Sequence, residues 1–226
     1  MAFHRLKVLF ATALTGVLIA FSAAAQQDSA RGVIDQYHAS LINVMKEATS
    51  LGYEGRYQWL TPVIQDTFNL PFMAEIALGI YWAKASEEYR KSYVEAFSHM
   101  STATYAERFD GYSGEKFEIL GVDEEGHNSV VVRAQIVEGD GGHIPLNYLL
   151  RNFDGQWKVV DVYLNGNVSE LAVKKSDYSA ILKDGGMTAL TSALNNKVDS
   201  MAKDAAKAKP AGNGTKPGGT STSKGS

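Results

Sequence analysis

Tyr148 and Asp161 are the side chains of this sequence whose pairing could do chemistry. Two apolar runs, Leu146 to Phe153 and Trp157 to Leu164, flank Asp154-Gly155. That dipeptide tolerates the positive φ angles of a type I′ turn, so the segment reads as a β-hairpin with a two-residue loop. Its register sets Tyr148 opposite Asp161. A carboxyl beside a phenol at an apolar site can transfer protons. The same pair can instead satisfy a structural hydrogen bond inside a domain, and that use is the one we favour.

No other constellation is stronger. The five histidines, His4, His38, His99, His127 and His143, show no metal-ligand spacing. Glu138, Asp140 and His143 gather at a glycine-rich turn, but a calcium site needs more oxygen ligands than these supply, and solvated turn residues explain them better. Gly111-Tyr112-Ser113-Gly114 lacks the downstream glycine of a nucleophile elbow, since Glu115 stands there. With no cysteine in the chain, metal–thiolate and cysteine-nucleophile chemistry are ruled out. No metal, no cofactor and no catalytic set is therefore expected.

The elements that position the hairpin follow from periodicity. Val33, Ile34, Tyr37, Leu41, Val44, Met45 and Ala48 recur at helical spacing across residues 29–51, and Gly52 follows as a stop. A second helix is read over 53–68, with Pro62 in its first turn or splitting it. A short helix restarts at Asn69-Leu70-Pro71 and ends at Gly79. Ser86 caps a long helix from Glu87 to about Phe109, with Glu87 and Glu88 favoured by its dipole. The period then changes. Strands over 116–122 and 128–138 precede the hairpin and complete a four-stranded antiparallel meander. In the hairpin register, Leu150 faces Val159 and Leu146 faces Tyr163 on the face of Tyr148. Leu149 and Asn147 face Val160 and Val162 on the other. Both faces are apolar, so cover on both sides is expected. Helical spacing returns over 168–182 and 187–201.

The ends differ from the body. Residues 1–25 read as a secretory signal, with Arg5 and Lys7 before the apolar run Val8 to Phe21 and a small-residue cleavage site at Ala23-Ala24-Ala25. An uncleaved anchor is the alternative, and no Cys is present to carry a lipoprotein anchor. Residues 204–226 are a Lys-, Gly- and Ser-rich tail of disordered composition. The body, 26–203, carries 16 basic and 24 acidic groups, a net of −8. Such a charge disfavours nucleic acid and tight adsorption to anionic membranes. The result is one α+β domain, helices first, then a sheet, then helices.

Several ordered blocks carry a resemblance. GYEGRYQWLTPVIQDTFNLPFMAEIALG (52–79), YAERFDGYSGEKFEI (105–119), LNYLLRNFDGQWKVVDVYLNGNVSEL (146–171) and KSDYSAILKDGG (175–186) are similar to the MlaC, or toluene-tolerance, family of periplasmic lipid-binding proteins. YLNGNVSEL points to its hopanoid-associated branch, HpnM. The resemblance implies helices packed around a twisted antiparallel sheet of NTF2-like kind, with an apolar pocket and no enzyme activity. It implies a periplasmic carrier of phospholipid, or of hopanoid in that branch. The partners implied are an inner-membrane lipid transporter and an outer-membrane acceptor complex, with transient membrane contact.

On that basis the pocket is expected to be lined by Phe72, Met73 and Ile76 on the short helix, Tyr81 and Trp82 after it, and Tyr105 on the long helix. The sheet would add Tyr148, Leu150, Val159 and Tyr163. Register alone selects this sheet face, and the opposite one, with Leu149, Val160 and Val162, competes with it. No convergent charged cluster is read at the pocket mouth. Two other classes remain open: an NTF2-like enzyme acting on an apolar substrate through Tyr148 and Asp161, and a scaffold domain with a fully packed core.

Overall fold

The computed structural model describes residues 8–207 except His127, with side chains described from Gln26 onward. The predicted leader, 1–25, and residues 208–226 of the predicted tail lie outside these described side chains.

Helix α1 (Val8–Lys46) buries Ile34, Tyr37, Leu41, Val44 and Met45 of the expected stripe, with Ala30 beside them, while Val33 is half-buried. Helix α2 (Ala48–Thr67) follows a break at Glu47 and bends at Gly52, whose φ of 59° is open to glycine and strained for other residues. Gly52 is thus a kink inside α2, and the helix boundary falls at Glu47. Pro62 sits within α2 without splitting it. Helix α3 (Leu70–Leu78) starts where the Asn69 side chain accepts the Phe72 N–H at 3.1 Å. A 3₁₀ segment (Gly79–Lys84) leads to α4 (Glu87–Arg108), where Ser86 Oγ accepts the Tyr89 N–H at 3.1 Å. Both caps satisfy backbone donors that a helix start leaves free.

The strands β1 (Lys116–Glu124), β2 (Ser129–Val137), β3 (His143–Phe153), β4 (Gln156–Leu164) and β5 (Val168–Ser169) lie side by side in sequence order, all antiparallel. The fold is α+β, helices packed on a five-stranded antiparallel sheet; the two-residue β5 adds a strand to the expected four. Helix α5 (Glu170–Lys207) closes the domain and bends at Gly186. It runs beyond Asp204, where the tail was expected to begin. On β2, Val130, Val132 and Ala134 are buried against the helices, while Val131 is half-buried and Arg133 exposed. Cover on both faces therefore does not extend along β2. The far edge of β4 is occupied by the α2–α3 junction, where the Asn69 N–H donates to the Val159 carbonyl at 3.0 Å.

The hairpin turn is as read from the sequence. Asp154 and Gly155 both have positive φ, 51° and 91°, and Leu150 pairs with Val159. The register then slips by one between Leu149 and Leu150. Leu149 faces Asp161, Tyr148 faces Val162, Asn147 faces Tyr163 and Leu146 faces Leu164. Val160 is the extra residue of a β-bulge, and every later side chain of β4 changes face. Tyr148 and Asp161 are consequently not neighbours across the strands.

Candidate functional site

The helices stand off the sheet at one end and enclose a cavity of about 240 Å³. Helices α2 and α3 and the junction between them contribute Ile64, Phe68, Leu70 and Met73. From α4 come Ser101, Thr104, Tyr105 and Arg108, with Phe109 just beyond. The sheet provides Ile136, Ile144, Leu146, Tyr148, Val162 and Leu164. The start of α5 adds Glu170, Leu171 and Lys174. Most of this wall offers no hydrogen bond, so it solvates hydrocarbon and excludes ions.

Aromatic rings form the floor. Tyr37 meets Tyr105 and Tyr148 edge-on, each at 6.0 Å, and Phe68 at 5.4 Å. The Tyr148 hydroxyl pairs with His38 Nε2 at 2.9 Å, and the imidazole stacks on Phe117 at 4.4 Å. Burial holds the His38 pKa down to about 3. Burial also raises the Tyr148 phenol well above its usual range, with a further contribution from Tyr105, and pushes Tyr105 up to about 12. At neutral pH the floor is thus uncharged and short of a base.

Asp161 is engaged elsewhere. Its carboxylate accepts the Val162 N–H at 2.8 Å, the Leu171 N–H at 3.0 Å and the Ser169 hydroxyl at 2.5 Å. Ser169 Oγ in turn accepts the Ala172 N–H at 2.9 Å. The bulge aims Asp161 at the first turn of α5, where it satisfies a helix-start donor. The Tyr148–Asp161 proton-transfer pair does not form. Nor do Glu138, Asp140 and His143 converge. Asp140 accepts the Gly142 N–H at 3.0 Å, and no metal-competent cluster occurs among the described residues.

Charge is confined to the cavity rim. Glu170 Oε2 lies 3.8 Å from Arg108 Nη2 and 3.7 Å from Lys174 Nζ. Burial lowers the Lys174 pKa, Glu170 opposes that shift, and Arg108 adds to it. An apolar chamber with a charged rim suits an amphiphile with its tail inside and its head at the mouth.

Met73, Tyr105 and Tyr148 of the expected lining residues stand in the cavity wall. The others do not. Phe72 turns to Phe153, at 5.7 Å, and lies under the Arg151 guanidinium. Ile76 is exposed, because α3 buries its other side. Tyr81 lies in the 3₁₀ segment away from the cavity wall, and Trp82 is covered by the Arg90 guanidinium at 5.2 Å. Leu150 and Val159 are fully buried in the packed part of the sheet. Tyr163 shares the opposite face with Asn147, and Val162 takes the inward position, because of the bulge at Val160.

The rim triad escaped the sequence reading, as did Ile136, Ile144 and Leu164. One signal was available: Glu170 and Lys174 are four apart on a helix, the spacing of an ion pair. Arg108, on another helix, has no local relation to them.

Comparisons with known proteins place this geometry. A family model described as MlaC protein matches residues 35–196. The chain is 29% identical over 126 residues to the Haemophilus influenzae "Intermembrane phospholipid transport system binding protein MlaC", a match covering 54% of this chain and 58% of that relative. The chain therefore spans less than two thirds of the relative's length. Its fold is similar to that of a phospholipid-binding protein from Ralstonia solanacearum, solved in complex with a phospholipid, with a TM-score of 0.67 and 19% identity over 78% of this chain and 98% of the other.

Proposed function

Because the chain belongs to the MlaC family, matched over residues 35–196, we propose that it is a non-enzymatic carrier that holds the acyl tails of a phospholipid in the cavity between α2–α5 and the sheet. The observation that carries this reading is the cavity's composition, an apolar wall with all of its charge at one rim. A packed scaffold has no use for such a void. An enzyme working through Tyr148 and Asp161 would need a pairing that the bulge removes.

Energetics suit a shuttle. Each CH₂ leaving water gains about 0.8 kcal/mol, so a sixteen-carbon tail is worth roughly 12 kcal/mol. Release into water at nanomolar equilibrium would be slow. Exchange must occur directly with a bilayer or a partner, between a cavity and a membrane core of similar solvent quality. The cavity, about 240 Å³, is smaller than the roughly 300–1,000 Å³ of drug-sized ligand sites. Loading a diacyl lipid therefore requires its walls to part.

Export to the periplasm, transfer between inner and outer membranes, and docking to an inner-membrane transporter and an outer-membrane acceptor complete this proposal. Native mass spectrometry of detergent-free exported protein, followed by organic extraction, tests it. One phospholipid per chain is the expected result. A hopanoid in its place would assign the cargo to the HpnM branch suggested by YLNGNVSEL (163–171). An empty mass, unchanged after incubation with liposomes, would sink the carrier reading.

A further inference from the structure

The rim triad joins the C-terminal turn of α4 to the first turns of α5, and among the described residues no other one lining the cavity carries a charge. One carboxylate oxygen serves both cations. Its distances to them, 3.8 and 3.7 Å, exceed the roughly 2.7–2.9 Å of a close charge-assisted hydrogen bond. The pairing is loose, and Lys174 and Glu170 are each only 22% exposed at the side chain. Together the three groups carry one net positive charge. Arg108 is half exposed, at 49% of its side chain, so one shielded cation and one solvent-facing cation share a distant carboxylate, and a second anion can approach both from the mouth.

Resting on the carrier reading above, we infer that Arg108, Glu170 and Lys174 form a counter-ion exchange site for a phosphodiester headgroup, in which the Glu170 carboxylate stands between the cations in the empty protein and yields to the lipid phosphate when the tails enter. A phosphodiester carries one negative charge, so with the displaced Glu170 still close by on α5 the four groups sum to zero. The Arg108 guanidinium can present two parallel N–H donors to phosphate oxygens, and Lys174 adds a point charge. Glu170 remains favoured by the start of α5, where the helix dipole stabilises an anion, so it can swing outward without disturbing the fold. A lipid without phosphate leaves the triad intact and gains nothing from it. The rim therefore selects headgroup while the cavity accepts tails, and Glu170 weakens retention so that cargo can leave.

The test uses vesicles of phosphatidylglycerol doped with diacylglycerol bearing the same acyl chains. The bound ratio is read by native mass spectrometry against the vesicle ratio. The wild-type chain should enrich phosphatidylglycerol about tenfold, the size of one charge-assisted hydrogen bond. Arg108→Gln with Lys174→Gln should abolish that enrichment while diacylglycerol still binds. Glu170→Gln should increase it. Opposite shifts from adjacent substitutions cannot arise from a general loss of fold, and Lys174→Arg should retain the preference. Wild-type enrichment in the double variant, or a fall in Glu170→Gln, would overturn the exchange site. Displacement of the lipid by millimolar inorganic phosphate would overturn the headgroup assignment in favour of a free-phosphate site. A wild-type chain that binds neither lipid would instead bring down the carrier reading itself.

Discussion

The two ends of one sheet face are built from the same kinds of residue and end in opposite states. Toward the β3–β4 turn, Leu150 and Val159 are fully buried among Val130, Val132 and the helical core residues. Toward the other end, Leu146, Val162 and Leu164, with Ile136 and Ile144, face a void. Aliphatic character thus marks which face turns inward but does not say whether anything fills the space. Contacts from α1 reach β1, β2 and β4, whereas the void is walled by α2 to α5 and rimmed with charge. Packing density is set by where helices stand, and close packing throughout would leave no cavity.

Perturbing each end separately sharpens this contrast. The largest effect is expected from Leu150→Ala, which should cost about 2–5 kcal/mol in urea unfolding while lipid per folded chain stays unchanged. Lost lipid in a chain of normal stability would invert the comparison. A bulky residue at Leu150 would overpack the core, so it is unsuited to blocking the cavity.

His38, paired with the Tyr148 hydroxyl of the cavity wall, predicts a pH dependence. Its folded pKa of about 3 lies below its unfolded value, 6.5. Both states are neutral above pH 6.5. As pH falls below that, only the unfolded chain gains the proton. Stability should therefore drop, by about 2 kcal/mol at pH 5, with the loss ending near pH 3. The stability difference between wild type and His38→Gln should shrink by that amount from pH 7 to pH 5. A pH-independent difference would show that the imidazole is not held neutral.

Val162→Trp should have the smallest thermodynamic effect. On the carrier proposal, its indole would fill the space that tail methylenes occupy, each worth about 0.8 kcal/mol, and reduce lipid occupancy more than about tenfold. The melting temperature should change little. Full occupancy would mean that the tails lie elsewhere, against the packed end or outside the domain.

Local signals were legible because their physics is local. Asp154-Gly155 meets the dihedral demand of a tight turn, Asn69 and Ser86 satisfy helix-start donors, and the change of apolar period separates helices from strands. The cavity was legible only in part. Met73, Tyr105 and Tyr148 stand in its wall, while a uniform register predicts Tyr163 inward, where the structure puts Val162. WKVVDVYL carries no mark of an extra residue at Val160. Yet one slip in a structure of period two reverses every side chain beyond it.

By itself the sequence determined the order of the main helices and strands and the apolar sheet, because propensity, capping and periodicity act over a few residues. Tertiary structure alone decided that Val162 replaces Tyr163 at the cavity wall, that Asp161 braces α5 instead of Tyr148, and that Arg108 joins Glu170 and Lys174 at the rim. Each of these depends on groups brought together across separate elements, where a one-residue bulge or the stance of a helix outweighs any local preference.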